Sequence, residues 1–109
     1  IEEQTAYVPE AIDHELMVKT YHQTILEIIR KNLYYPGSAR RRGIEGTVYI
    51  RFVLDAKGTV SDISVEKTSG YTLLDKASVK TIRRCIFPPP PDNFLTLSIP
   101  ITFKLVEDS

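Results

Sequence analysis

Residues 47–67 constrain the fold of this chain more than any other stretch. Val48, Ile50, Phe52 and Leu54 recur at a period of two, with Thr47, Tyr49, Arg51 and Val53 between them. That alternation of β-branched and aromatic residues predicts a strand with one buried face. Asp55-Ala56-Lys57-Gly58 then supplies a turn in which Gly58 can take the left-handed conformation that a bulged hairpin needs. Residues 60–67 return as a more polar strand, where Ser61, Asp62, Ser64 and Glu66 interrupt Val60, Ile63 and Val65. A two-stranded hairpin is marginally stable by itself, so the rest of the chain must cover its apolar face.

Two helices and a third strand are available for that. Residues 1–12 carry weak periodicity and the break Val8-Pro9-Glu10, and read as a linker or arm; the domain is expected over residues 13–109. Asp13 is the expected N-cap of a first helix over residues 16–33. Ile25, Ile28, Ile29, Asn32 and Leu33 form its apolar stripe, and Met17 and Tyr21 extend it upstream. Pro36 ends it by pushing Tyr35 out of the helical region. Residues 38–46 read as a basic connection. Thr72 with Asp75 three residues on resembles a capping box for a second helix over residues 73–85. Leu74, Ala77, Ser78, Thr81, Ile82 and Cys85 share one face of it. The prolines at 88–91 stop it. Residues 96–106 alternate again, with Leu97, Ile99, Ile101, Phe103 and Leu105 against Ser98, Thr102 and Lys104.

The polar second strand suits a sheet edge and the apolar first strand suits the centre. The third strand is therefore expected beside the first, antiparallel to it, in the order 2-1-3, with both helices on the Val48/Ile50/Phe52/Leu54 face. The fold class is α+β. Strand 3 keeps an open edge, and Pro100 within it agrees, because a strand proline is tolerated where its missing N–H faces outward.

With 14 basic and 14 acidic side chains among 109 residues, the formal net charge is zero. That argues against bulk nucleic-acid binding, which needs a basic surface to displace counterions. No apolar run approaches the ~18 residues of a membrane span. No enzyme site emerges, and no metal or cofactor is implied. His14 and His22 lie two helical turns apart, too far to share a metal. Cys85, the lone cysteine, falls on the apolar helix stripe and reads as an inert core thiol. Arg40-Arg41-Arg42 reads as a solvated loop before an anion site, and residues 88–91 as a loop before a polyproline ligand. What remains is the open edge of strand 3, which either a chain terminus covers or a partner pairs with by strand addition.

At this point a series of spaced motifs resembles a known family. Tyr35-Pro36-x-x-Ala39, Gly43-x-x-Gly46 and Val48-x-Ile50-x-Phe52-x-Leu54-Asp55-x-x-Gly58 are followed by Val60-Ser61-Asp62 and Thr68-Ser69-Gly70. Leu74-Asp75-x-Ala77 and Phe87-Pro88-Pro89-Pro90 complete the series. Together they are similar to the C-terminal domain of TonB proteins. The resemblance implies a periplasmic domain, anchored to the inner membrane by an N-terminal helix absent from this fragment and linked there to an ExbB/ExbD-type motor. It implies coupling of the proton gradient to outer-membrane transporters for iron complexes or vitamin B12, through pairing of strand 3 with a transporter segment, the TonB box. The peptide site is then expected at Ser98, Ile99, Pro100, Ile101, Thr102 and Phe103, with Asn32, Leu33 and Tyr34 at the end of helix 1 fixing the peptide's position. Asn32-Leu33-Tyr34 stands where well-known members carry Gln-Pro-Gln, so Asn32 aligns with a box-contacting glutamine. A weak or strand-swapped homodimer is expected through the same edge. The alternative is a TonB-like or TolA-like envelope domain that tethers without transferring energy.

Overall fold

The structure, a computed structural model, describes residues 10–105, with side chains from residue 15 onward. Its elements run α1 (Glu10–Lys31), α2 (Gly37–Arg41), β1 (Gly46–Leu54), β2 (Val60–Lys67), α3 (Thr72–Arg84) and β3 (Leu95–Phe103). The three strands form one antiparallel sheet in the order β2-β1-β3, as the patterning predicts. β1 is central, and its inward residues Val48, Ile50, Phe52 and Leu54 are fully buried. Facing them from β3 are Leu97, Ile99, Ile101 and Phe103, all buried. The helices close this face with Tyr21, Ile25 and Ile29 from α1 and Leu74, Ala77 and Ile82 from α3. Each of these large side chains contributes roughly 1.5–3 kcal/mol on burial. Phe87, just past α3, stacks on Phe52 with ring centroids 5.7 Å apart.

Several expectations need correction. α1 starts at Glu10, so Asp13 lies within the helix and is not its N-cap, and the last three residues of the expected arm are helical. A proline is tolerated at a helix start, where its missing N–H would have no partner. As a sequence signal, Val8-Pro9-Glu10 is therefore compatible with a helix that begins at Glu10. The remainder of the arm, residues 1–9, and the predicted strand end at Val106 lie outside the described residues. α1 also stops at Lys31, two residues early, and Met17 is exposed rather than part of the buried stripe.

The basic connection contains a helix that periodicity could not reveal, since α2 has only 5 residues. It forms because Ala39 is fully buried and Arg40 N–H reaches Pro36 O at 3.0 Å. The capping box is absent as well. Tyr71, not Thr72, is the N-cap of α3 and makes no side-chain cap bond. Asp75 turns back to the preceding loop, accepting from the Thr68 hydroxyl, from Ser69 N–H at 3.0 Å and from the Ser69 hydroxyl at 2.8 Å. The hairpin turn does form as expected. Gly58 has φ +87°, and a Cβ there would sit 2.3 Å from Phe87 O, so the turn is both left-handed and pressed against the chain that follows α3.

Candidate peptide-binding edge

The sheet has two outer strands, and they differ in regularity. β2 pairs with β1 through two register shifts, between Tyr49/Ile50 and between Arg51/Val53. Asp62 sits at the second with φ 53°, a left-handed conformation that an aspartate tolerates better than most residues. Bulges and charges on an outer strand spoil it as a template for further pairing. β2 therefore carries the protective devices of an edge.

β3 has neither bulge nor charge, and Pro100 is its one such device. It pairs with β1 in unbroken register from Gly46↔Phe103 to Leu54↔Leu95. Leu97, Ile99, Ile101 and Phe103 point into the core, while Thr96, Ser98, Pro100 and Thr102 are exposed on the face the helices leave bare. On that face Ser98 Oγ donates to Glu66 Oε1 of β2 at 2.7 Å, spanning β1, and the hydroxyls of Thr47 and Thr102 lie 3.2 Å apart. Past the strand, Leu105 N–H donates to Glu45 Oε2 at 2.7 Å and holds the chain's exit against β1's start.

Pro100 sets which backbone groups face outward. It lies opposite Tyr49 in mid-register and has no N–H to give β1. The register is satisfied when Pro100's backbone faces away from β1. Since N–H and C=O groups alternate sides along a strand, Thr96, Ser98 and Thr102 then offer N–H outward. They and Pro100 offer carbonyls outward. Leu97, Ile99, Ile101 and Phe103 bond to β1.

The residues after α1 divide. Asn32 caps the helix: its N–H reaches Ile28 O and Ile29 O, both at 3.1 Å, and its Nδ2 donates to Ile28 O at 2.8 Å. One amide proton of Asn32 is thus engaged within the helix. Leu33 is half-buried against the core. Tyr34 turns to α3, where its N–H donates to Thr81 Oγ1 at 2.9 Å and Lys80 Nζ lies 4.3 Å over its ring. Among the described residues, no hydrogen bond or ring contact joins Asn32, Leu33 or Tyr34 to Ser98, Ile99, Pro100, Ile101 or Thr102. The link to β3 is made by Tyr35, which is expected at the helix end and in the Tyr35-Pro36 motif but not at the site. Its ring meets Phe103 edge-on at 5.4 Å and its hydroxyl donates to Ile44 O at 2.5 Å. Burial, with the Glu45 carboxylate adding to it and Arg40 opposing, holds that phenol above its ordinary pKa. Its neighbour Pro36 and an aromatic at Phe103 were the available signal.

No cluster of three or more His, Cys, Asp or Glu placed to hold a metal occurs among the described residues. Fold and edge together define a two-layer α+β domain with an outer strand open to backbone pairing. The chain belongs to the family described as Gram-negative bacterial TonB protein C-terminal, whose model matches residues 31–105. It is a family of non-enzymatic proteins. Protein TonB of Helicobacter pylori strain J99 is 36% identical over 108 residues, covering 97% of this chain and 36% of that protein. Protein tonB2 of Pseudomonas aeruginosa is 44% identical over 75 residues, 65% of this chain and 28% of that one. The solution structure of a Helicobacter pylori TonB C-terminal domain superposes with a TM-score of 0.72 at 32% identity, covering 96% of this chain and all of that one. This chain thus spans about a third of the curated relatives' length.

Proposed function

We propose that this domain is the periplasmic coupling end of a TonB energy transducer, and that it binds the TonB box of outer-membrane transporters by strand addition at β3. The observation that carries this reading is the contrast between edges: β2 is bulged and charged, whereas β3 is regular and, among the described residues, has no strand beside its outer side. Family membership supports the transducer role. An inner-membrane anchor and an ExbB/ExbD-type motor belong to the remainder of such a protein, and iron complexes or vitamin B12 are the cargo the reading implies.

In this mechanism the incoming peptide bonds the outward groups of Thr96, Ser98, Pro100 and Thr102. Each main-chain bond contributes roughly 0.5–1.5 kcal/mol net. With one donor missing at Pro100 and the peptide's ordering entropy to offset, the sum supports micromolar affinity, about −8 kcal/mol. Asn32, Leu33 and Tyr34 are assigned to fixing the peptide's register by contacts with the peptide itself, since Tyr35 and not these three meets β3. The test is a titration of isotope-labelled domain with a box peptide, following each amide. Shifts should cluster on residues 96–103; shifts confined to β2 or to residues 88–91 would overturn the mechanism.

A further inference from the structure

The chain is neutral overall, yet its charge is not evenly spread. α3 places Lys76, Lys80, Arg83 and Arg84 on its exposed face at helical offsets of 0, 4, 7 and 8, and its one carboxylate, Asp75, is turned to the Thr68-Ser69 loop. Two adjoining hollows lie along this face, of about 470 and 450 Å³. They share Lys76 and Lys80. Arg83 and Arg84 rim one, and Arg41 of α2 rims the other, so the basic run singled out in the sequence enters the same surface. No carboxylate lines either hollow, and among the described residues none of the five cations has an ion-pair partner. The floor is apolar, from Val79 in one hollow and Leu73 and Pro36 in the other. Tyr34 stands at the side, its ring holding Lys80 at 4.3 Å and Arg84 at 6.0 Å.

Like charges crowded within a Debye length repel one another, and an anionic partner relieves that repulsion. The shape selects the partner. A lipid surface is flat and meets projecting patches, whereas these are two adjoining shallow hollows, one along α3 and one between α3 and the start of α2, each with an apolar floor. Their floor accepts apolar side chains, and their rim accepts carboxylates. We propose that the α2–α3 face binds an extended acidic segment of a partner protein, with carboxylates on Lys76, Lys80, Arg83, Arg84 and Arg41 and apolar side chains over Leu73 and Val79. This surface is separate from the β3 edge, so a transducer would grip one partner by backbone pairing and another, or a second part of the same one, by charge.

The probes are a fluorescein-labelled peptide alternating Glu and Leu, and its twin with Gln for every Glu. The Glu peptide should bind at least about tenfold tighter than the Gln twin, and weaken by a similar factor as NaCl rises from about 50 to about 300 mM. It should shift amides over residues 34–41 and 73–84 and leave 96–103 unmoved, which separates this result from the fate of the β3 reading. The Lys76→Glu/Lys80→Glu pair should lose at least tenfold, and Arg83→Glu/Arg84→Glu serves as a second pair should the first disturb Tyr34. Equal binding of the two peptides, or shifts confined to 96–103, would overturn the proposal. So would binding of anionic phosphatidylglycerol vesicles, sensitive to these substitutions, with no binding of the Glu peptide.

Discussion

Asp75 and Cys85 stand at opposite ends of α3 and show what single side chains contribute. Burial would raise the Asp75 pKa, but the hydrogen bonds from the Thr68 hydroxyl, Ser69 N–H and Ser69 hydroxyl outweigh it and hold the carboxyl below its ordinary value. A group depressed in the folded state stabilises the fold at pH above its unfolded pKa, and that contribution is lost as pH falls through the folded value. Asp75→Asn should therefore lower stability at neutral pH by about 1 kcal/mol, and its deficit against the parent should shrink as pH falls below about 4 and be gone once pH is under the depressed folded-state value. Thermal melts of both proteins from neutral to acid pH check this; a deficit independent of pH would mean that packing, not charge, is lost. At the other end, burial drives the Cys85 thiol up to about 11, with Arg84 opposing weakly, and its Sγ lies 3.2 Å from Thr81 O. Native protein should resist iodoacetamide at mildly alkaline pH while unfolded protein reacts fully. Cys85→Ala should cost about 1 kcal/mol and leave peptide binding intact.

At the scale of elements, the parity set by Pro100 makes a sharp prediction for β3. A proline at Ser98 removes an outward N–H, so Ser98→Pro should keep the fold and weaken box-peptide binding by about tenfold or more. A proline at Ile99 removes a bond to β1 and should unfold the domain. Circular dichroism with peptide titration distinguishes them, and the reverse pattern would invert the assignment of outward groups. The strands were legible in the sequence because a period of two and a one-sided core leave a single consistent arrangement, in which polar β2 goes outside and apolar β1 inside. The short and terminal features were not. α2 owes its existence to one buried alanine and a few local backbone bonds, signals too small for periodicity. Asp75 has the spacing of a capping box, but two hydroxyls and an N–H in the preceding loop compete successfully for its oxygens. For the candidate site, the open edge could be read from Pro100 and the alternation. The turning of Tyr34 toward α3 could not, since nothing in the sequence links it to Thr81 and Lys80, 47 residues away in the first case.

The whole molecule presents the β3 edge to copies of itself as well as to partners, and the same geometry sets how strongly. Two β3 edges meeting about a twofold axis form an isologous antiparallel pair. Each brings a Pro100, so the pair loses a donor on both strands, whereas an added peptide without proline loses it on one. Self-pairing must therefore be weaker than peptide binding. With the peptide near micromolar, the dimer should dissociate at about 0.1–1 mM, and the peptide should disperse it because both need the outward groups of Thr96, Ser98, Pro100 and Thr102. Sedimentation across that concentration range, with and without box peptide, measures both effects. Ser98→Pro should abolish the dimer along with the peptide complex, while the Lys76→Glu/Lys80→Glu pair should leave it unchanged. A strand-swapped dimer would behave differently: it would persist on dilution to nanomolar concentration and exchange slowly, because each copy would have replaced its own β1–β3 pairing. Persistence of that kind, unaffected by peptide, would show that the edge is closed by exchange and that this chain's free monomer is not the species that receives the transporter.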